Sequence, residues 1–514
     1  MFRSAGHIFR LAHAGWVMAR EGVFAGVDPA LLPPIARVPL AFAKLIARPH
    51  STSGEPNIAR AIARLGPSYV KLGQFLATRP DVVGVDTARD LENLQDRMPP
   101  FDRAEAVKTI ERAFGKKLDE IFAEFGPPIA AASIAQVHKA RIDDGHESRH
   151  VAVKILRPGV ERRFWRDIGD MYFAARQAER RSAEARRLRL VEVVQTLERS
   201  VKMEMDFRLE AAAASEFGEN IAADPDFRVP DVDWDRTSRE VLTTGWIDGT
   251  PMSDLAALRK SGFNLPELGR SLIQSFLRHA LRDGLFHADM HQGNLFVDRQ
   301  GVIVAVDFGI MGRLGHRERR FLAEILYGFI TRNYRRVAEV HFEAGYVPRK
   351  HQVEDFAQAI RAIGEPIHSR TADQISMANL LTLLFEITAL FDMETRTELV
   401  MLQKTMVVVE GVARSLDPKL DMWSTSEPVV GMWIRDKLGP KGIVEDASRG
   451  LAVIGNLARQ LPDFLERAET MADDFQARAL QPPAGTDRKG REGGWTLAAL
   501  WIIAGLLAIA VFGK

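Results

Sequence analysis

Two short stretches of this chain carry oxygen ligands at a spacing that suits phosphoryl transfer. The first is His287-Ala288-Asp289-Met290-His291-Gln292-Gly293-Asn294 and the second is Asp307-Phe308-Gly309. Such a reaction needs a carboxylate to accept or orient the nucleophile's proton, and further oxygens to hold Mg²⁺ on the phosphates. Asp289 suits the first task; Asn294 and Asp307 suit the second. Either motif alone is a common run of turn-forming residues. Taken in this order, with short apolar strand-like runs at 295–298 and 302–306 between them, they form a far more specific constellation.

Upstream, Val151-Ala152-Val153-Lys154 reads as a strand ending in a lysine that can engage the α- and β-phosphates of ATP. Such a lysine needs a carboxylate partner on a following helix. Glu204 and Glu210, in Glu204-Met205-Asp206-Phe207-Arg208-Leu209-Glu210, are both candidates, and spacing does not choose between them. Before the strand lies Ile129-Ala130-Ala131-Ala132-Ser133-Ile134-Ala135-Gln136-Val137-His138, where a phosphate-cradling loop would be expected. Glycine lets backbone amides wrap closely around phosphates, and alanine narrows that freedom. A stiffer loop with altered nucleotide handling is therefore expected. Lys71 and Gln74, three apart in Lys71-Leu72-Gly73-Gln74, share one face of a helix. By themselves they read as ordinary surface residues.

The elements that must position these groups follow from pattern and breaks. Residues 1–56 form an N-terminal segment whose Phe2, Ile8, Phe9, Leu11, Trp16 and Val17 suit either a membrane-grazing helix or one packed on its own domain. Residues 57–125 are helical. A change of character at Gly126-Pro127-Pro128 opens a strand-bearing region, 126–250, with strands expected at 133–141, 151–156 and 239–244. Residues 251–474 are mostly helical, and 475–494 read as a flexible linker. Trp495–Phe512 is uncharged and apolar over 18 residues, just enough for a transmembrane helix. Arg488, Lys489 and Arg491 before it place the large domain on the cytoplasmic side.

Bulk composition agrees with a folded, reducing-compartment protein. Of 514 residues 46% are hydrophobic and 27% charged, and the net charge of +1 gives no reason to expect nucleic acid as a partner. The chain has no cysteine, which excludes disulfides, thiolate metal sites and cysteine nucleophiles.

These motifs in this order resemble the UbiB (aarF-type) family of atypical kinases tied to ubiquinone biosynthesis. The matching runs are Lys71–Gln74, Leu94-Gln95-Asp96-Arg97, Ala132–His138, Val151–Lys154, Glu204–Glu210, His287–Asn294 and Asp307–Gly309. The resemblance implies an α+β, atypical protein-kinase-like two-lobed fold with a helical N-terminal extension. It implies that the Lys71 helices cover the active site and exclude peptides, making Lys71 functional. It assigns nucleotide binding to the alanine-rich loop and Lys154, catalysis to Asp289, and Mg²⁺ to Asn294 and Asp307. It further implies ATPase-like turnover at the bacterial inner membrane, with the lipid membrane, quinone or polyprenylphenol precursors and other ubiquinone-biosynthesis enzymes as partners. Two departures argue against peptide phosphorylation. Ala288 stands where protein kinases keep arginine, and after Gly309 the chain passes into the charged helical stretch 317–327 without an activation segment.

Overall fold

The computed structural model describes residues 2–26, 34–47, 57–77, 80–92, 94, 98–143, 148–368, 387, 390–393 and 397–438. The expected linker at 475–494, the apolar run 495–512 and three of the four residues of Leu94–Arg97 lie outside them. Among the described residues no helix is long and apolar enough to cross a membrane. The chain divides into two compact units: Met1–Asp254 with Gln292–Met311, and Leu255–His291 with the segment that begins at Gly312.

The first unit is built around a four-stranded antiparallel sheet in the order β1-β2-β3-β5. Its strands are β1 (Glu124–Ala131), β2 (Ala135–Asp143), β3 (Ser148–Leu156) and β5 (Val241–Gly245), with the two-residue β4 (Phe227–Arg228) in between. Alternation in Val-Ala-Val-Lys-Ile-Leu decides the faces of β3. Val151, Val153 and Ile155 are completely buried, in a core shared with Ile110 of the helix Arg103–Phe114. The next residues along, Ala152 and Lys154, fall on the opposite face.

The helices of nine or more residues in this unit are, in chain order, α1 (Phe2–Arg20), α2 (Pro34–Ile46), α3 (Asn57–Leu65), α4 (Pro67–Ala77), α5 (Arg103–Phe114), α6 (Val160–Arg181), α7 (Leu190–Glu204) and α8 (Phe207–Asn220). Helix α1 packs on its own unit. Leu11, Ala14 and Val17 are buried, and His7 and Arg10 reach Asp170 of α6 at 2.5 and 2.6 Å. Its Phe9 and Trp16 nevertheless point outward.

A second sheet of this unit, β4-β9-β8-β6, contains β6 (Gly249–Pro251), β8 (Leu295–Asp298) and β9 (Ile303–Ala305). The β8–β9 hairpin matches the strand pair expected between the two acidic motifs.

One strand boundary differs from the sequence reading. Gly126-Pro127-Pro128 reads as a break, with the first strand starting at 133, yet β1 runs through both prolines. Proline is tolerated there because β1 is an edge strand, and its ladder to β2 shifts register on either side of Pro128.

The second unit is mainly helical. It contains α9 (Leu265–Arg278), a π-helical turn (His279–Asp283), β7 (Leu285–His287), α10 (His316–Ile330), α11 (Tyr334–Glu343), α12 (Val353–His368), α13 (Thr397–Leu416) and α14 (Met422–Leu438). Helix α9 starts on an Asn264 cap that accepts from the Glu267 amide. A short strand, β10 (Met311–Arg313), pairs with β7. The two lie so close that a methyl group on Gly312 would sit 2.1 Å from Phe286 Cζ, which explains glycine there.

Candidate functional site

In the first unit, Lys154 stands at the centre of a charged cluster. Its Nζ lies 2.7 and 3.0 Å from the two oxygens of Glu210 and 3.2 Å from Asp307 Oδ1. Burial alone would lower the lysine, but the Asp307 and Glu210 carboxylates hold its pKa above the ordinary value. Burial likewise pushes the Glu210 carboxyl up while Lys154 pulls it back. At neutral pH the lysine is therefore the partner that keeps its proton. The Phe207 ring lies 5.5 Å from Nζ, a cation–π contact that pattern reading did not single out.

The sequence left two glutamates open, and local structure separates them. Helix α7 ends at Glu204, Asp206 caps the next helix by accepting from Arg208 N, and Glu210 follows in the first turn of α8. The break turns the two carboxylates to different partners. Glu210 takes Lys154, and Glu204 takes Lys71 of α4 at 2.6 Å. Lys71 is thus joined through Glu204 to the same seven-residue motif that supports Lys154. Glycine in Lys71-Leu-Gly-Gln74 has a packing cause, since a methyl on Gly73 would meet Leu94 Cδ1 at 2.5 Å.

The β8–β9 register explains how Asn294 and Asp307 come together. Leu295 pairs with Ala305, and the Val306 amide donates to the Asn294 carbonyl at 2.9 Å. Asn294 and Asp307 therefore sit at the open end of one hairpin. Asp307 has φ +63°, a left-handed conformation that a non-glycine residue rarely adopts, and its Oδ1 accepts from the Gly309 amide at 3.3 Å. Mg²⁺ prefers a few protein oxygens and completes its shell with phosphate and water. A carboxamide and a carboxylate at one hairpin end fit that requirement.

The alanine-rich run resolves into strand, turn and strand. Ile129, Ala130 and Ala131 end β1, Ala132-Ser133-Ile134 turn, and Ala135, Gln136 and Val137 open β2. The turn is held by Ala132 N donating to Ala135 O at 2.7 Å and by Arg157 donating to Ala132 O at 3.1 Å. Ile129 is exposed and Ser133 buried. Gln136 faces inward: its amide bonds the Phe101 backbone in both directions and donates to His138, so its side chain braces the sheet. His138, buried and held by the Gly126 carbonyl, has its pKa lowered by desolvation.

Asp289 belongs to the second unit, because the chain changes unit between His291 and Gln292. It follows β7, and its backbone amide donates to Nδ1 of buried His287 at 3.1 Å. An acceptor Nδ1 puts the imidazole proton on Nε2. His291 Nε2 is 3.7 Å from Asp289 Oδ2. The carboxylate is itself partly exposed.

Comparison with known proteins agrees with these motifs. The ABC1 atypical kinase-like domain matches residues 93–341, and the UbiB helical domain matches residues 360–421. Curated relatives named probable protein kinase UbiB align along most of the chain. That of Marinobacter nauticus is 38% identical, covering 92% of this chain and 85% of its own. That of Azotobacter vinelandii is 40% identical, covering 84% and 81%. A solved structure, the Rv3197–erythromycin complex from Mycobacterium tuberculosis, is 24% identical with a TM-score of 0.48, covering 70% of this chain and 90% of that one. The chain belongs to the UbiB family of proteins with an ABC1-type atypical kinase-like domain.

Proposed function

We propose that this protein is a membrane-associated, Mg²⁺-dependent ATPase or small-molecule phosphotransferase that supports ubiquinone biosynthesis. The observation that carries the reading is the Lys154–Glu210–Asp307 cluster, in which Glu210 is buried, with Asn294 beside Asp307 at one hairpin end. Lys154, held by Glu210, positions the phosphates of ATP, and the backbone of Ile129–Val137 covers them. Asn294 and Asp307 would hold Mg²⁺, which supplies charge neutralisation on the phosphates. Asp289 orients the attacking hydroxyl or water and takes up its proton. Lys71, paired with Glu204, belongs to the same machinery.

Small acceptors are favoured over peptides. Only six residues separate Gly309 from the start of α10, and three of them form β10. A long activation segment has no place there.

Membrane contact is supported from two directions. Trp495–Phe512 has the length and composition of a cytoplasm-facing anchor in a bacterial inner membrane. Helix α2 turns Val38, Phe42 and Leu45 outward, at 74%, 60% and 82% exposure, along a stripe of helical period. Quinone or polyprenylphenol precursors, and the enzymes that process them, are the partners this placement suits.

The test is ADP release by the full chain in detergent beside Asp307→Asn, with and without phenolic precursor mimics and anionic liposomes. Release that needs Asp307 and rises with lipid or phenol supports the proposal. Nucleotide binding without release above the mutant would make the protein a nucleotide-binding scaffold or lipid chaperone instead.

A further inference from the structure

The peptide that joins Ala288 to Asp289 is pinned at both ends. Its N–H donates to His287 Nδ1 at 3.1 Å, and its carbonyl accepts from Thr405 Oγ1 of α13 at 3.0 Å. Both pinning side chains are buried, Thr405 completely. Because a peptide unit is planar, fixing its oxygen and its nitrogen restricts the plane, and with it the position of the Asp289 Cα from which the side chain leaves. The Thr405 hydroxyl also lies 2.8 Å from the Met401 carbonyl one turn earlier, the usual back-bond of a helical threonine. The single hydroxyl proton is thus shared between a carbonyl of its own helix and the Ala288 carbonyl of the loop.

Other carbonyls on the way to Asp289 are treated the same way. Leu281 O accepts from the Trp433 indole of α14 at 2.9 Å, Arg282 O from Arg319 of α10 at 2.8 Å, and Gly284 O from the Leu314 amide at 2.8 Å. The pattern answers a local need: the π-helical turn ends at Asp283, so the carbonyls of its last residues and of Gly284 find no helical donor. All of these groups belong to the second unit.

We propose that Thr405 is a positioning residue for Asp289, acting through the Ala288 carbonyl. The claim rests on the phosphoryl-transfer reading of Asp289, and its test separates the two. Thr405→Val removes the hydroxyl at nearly constant volume, and Thr405→Ser restores it; Thr405→Ala replaces the valine variant should that fail to fold. Turnover by ADP release and affinity for a fluorescent ATP analogue are measured on the full chain. The expected result is a turnover loss of roughly ten- to a hundred-fold in Thr405→Val, the scale of a misplaced catalytic group. Nucleotide affinity should stay within about two-fold, and Thr405→Ser should recover most of the turnover. Amide hydrogen exchange of the 285–292 segment should speed up in Thr405→Val alone, whether or not the wild type turns over. A wild type that binds nucleotide but releases no ADP would sink the phosphoryl-transfer reading, and Thr405 as a positioning residue with it, even if the exchange effect stood. Unchanged exchange, or turnover and affinity falling together without rescue by serine, would overturn the role of Thr405 itself.

Discussion

The two units hold their candidate residues by different kinds of force. In the first unit, Lys154, Glu210, Asp307, Lys71 and Glu204 fix one another through ion pairs at 2.6–3.2 Å. In the second, the stretch leading to Asp289 is held by its backbone, through donors set on packed helices. A charged cluster can be rearranged by an arriving polyanion, which under the proposed function would compete for the same lysine. The Ala288 carbonyl, capped by the fully buried Thr405, cannot move without disturbing the packing around α13. The contrast suits a division in which one part must adapt to a nucleotide and the other must keep a carboxylate still.

The largest effect should come from Asp289→Asn. Removing a general base costs on the order of 10²–10⁴-fold in turnover, while binding of the ATP analogue should persist because Lys154, the proposed nucleotide contact, is untouched. If binding were lost as well, the division of labour between the units would be wrong.

Next in size is Lys154→Met, which leaves Glu210 buried without its cation. Breaking such a pair costs about 3 kcal/mol or more, read from denaturant unfolding, and adding Glu210→Gln should return part of it. The pH dependence has a definite sign. The folded lysine pKa is raised above an unfolded value of about 10.4, so the pair's contribution is complete below that pH and is lost only as alkaline pH passes the folded value. Stability curves of wild type and Lys154→Met should therefore run parallel from roughly pH 7 to 9 and draw together only at alkaline pH beyond the unfolded lysine value.

Gly312→Ala tests the apolar side of the second unit. Its methyl would strike the Phe286 ring, and overpacking of this kind costs roughly 1–3 kcal/mol. The smallest effect expected is in Trp433→Phe, which removes the donor to Leu281 O and keeps an aromatic ring. A loss of about 1 kcal/mol is expected, visible in unfolding but not in nucleotide affinity.

Much of the site could be read from the linear chain because its parts are local. Val-Ala-Val-Lys alternates by itself, and Asn294 and Asp307 flank a hairpin whose strands are apolar and short. Less legible was β1, whose two prolines are acceptable only because no strand pairs on its outer edge. Gln136 illustrates the same limit: its place in the alanine-rich run points to nucleotide, while its buried amide serves the Phe101 backbone.

Residue types and spacing along this chain determined the chemistry on offer: a lysine on a strand, an aspartate suited to proton transfer, and two side-chain oxygens at a hairpin end. Tertiary structure alone decided which carboxylate meets which lysine. Glu204 and Glu210 lie six residues apart across a helix break, and the turn capped by Asp206, not the spacing, sends one to Lys71 and the other to Lys154. It also supplied Thr405 and Trp433, more than a hundred residues from the carbonyls they cap. A backbone carbonyl leaves no mark in a sequence, and its donor is found only when the chain has folded back to it.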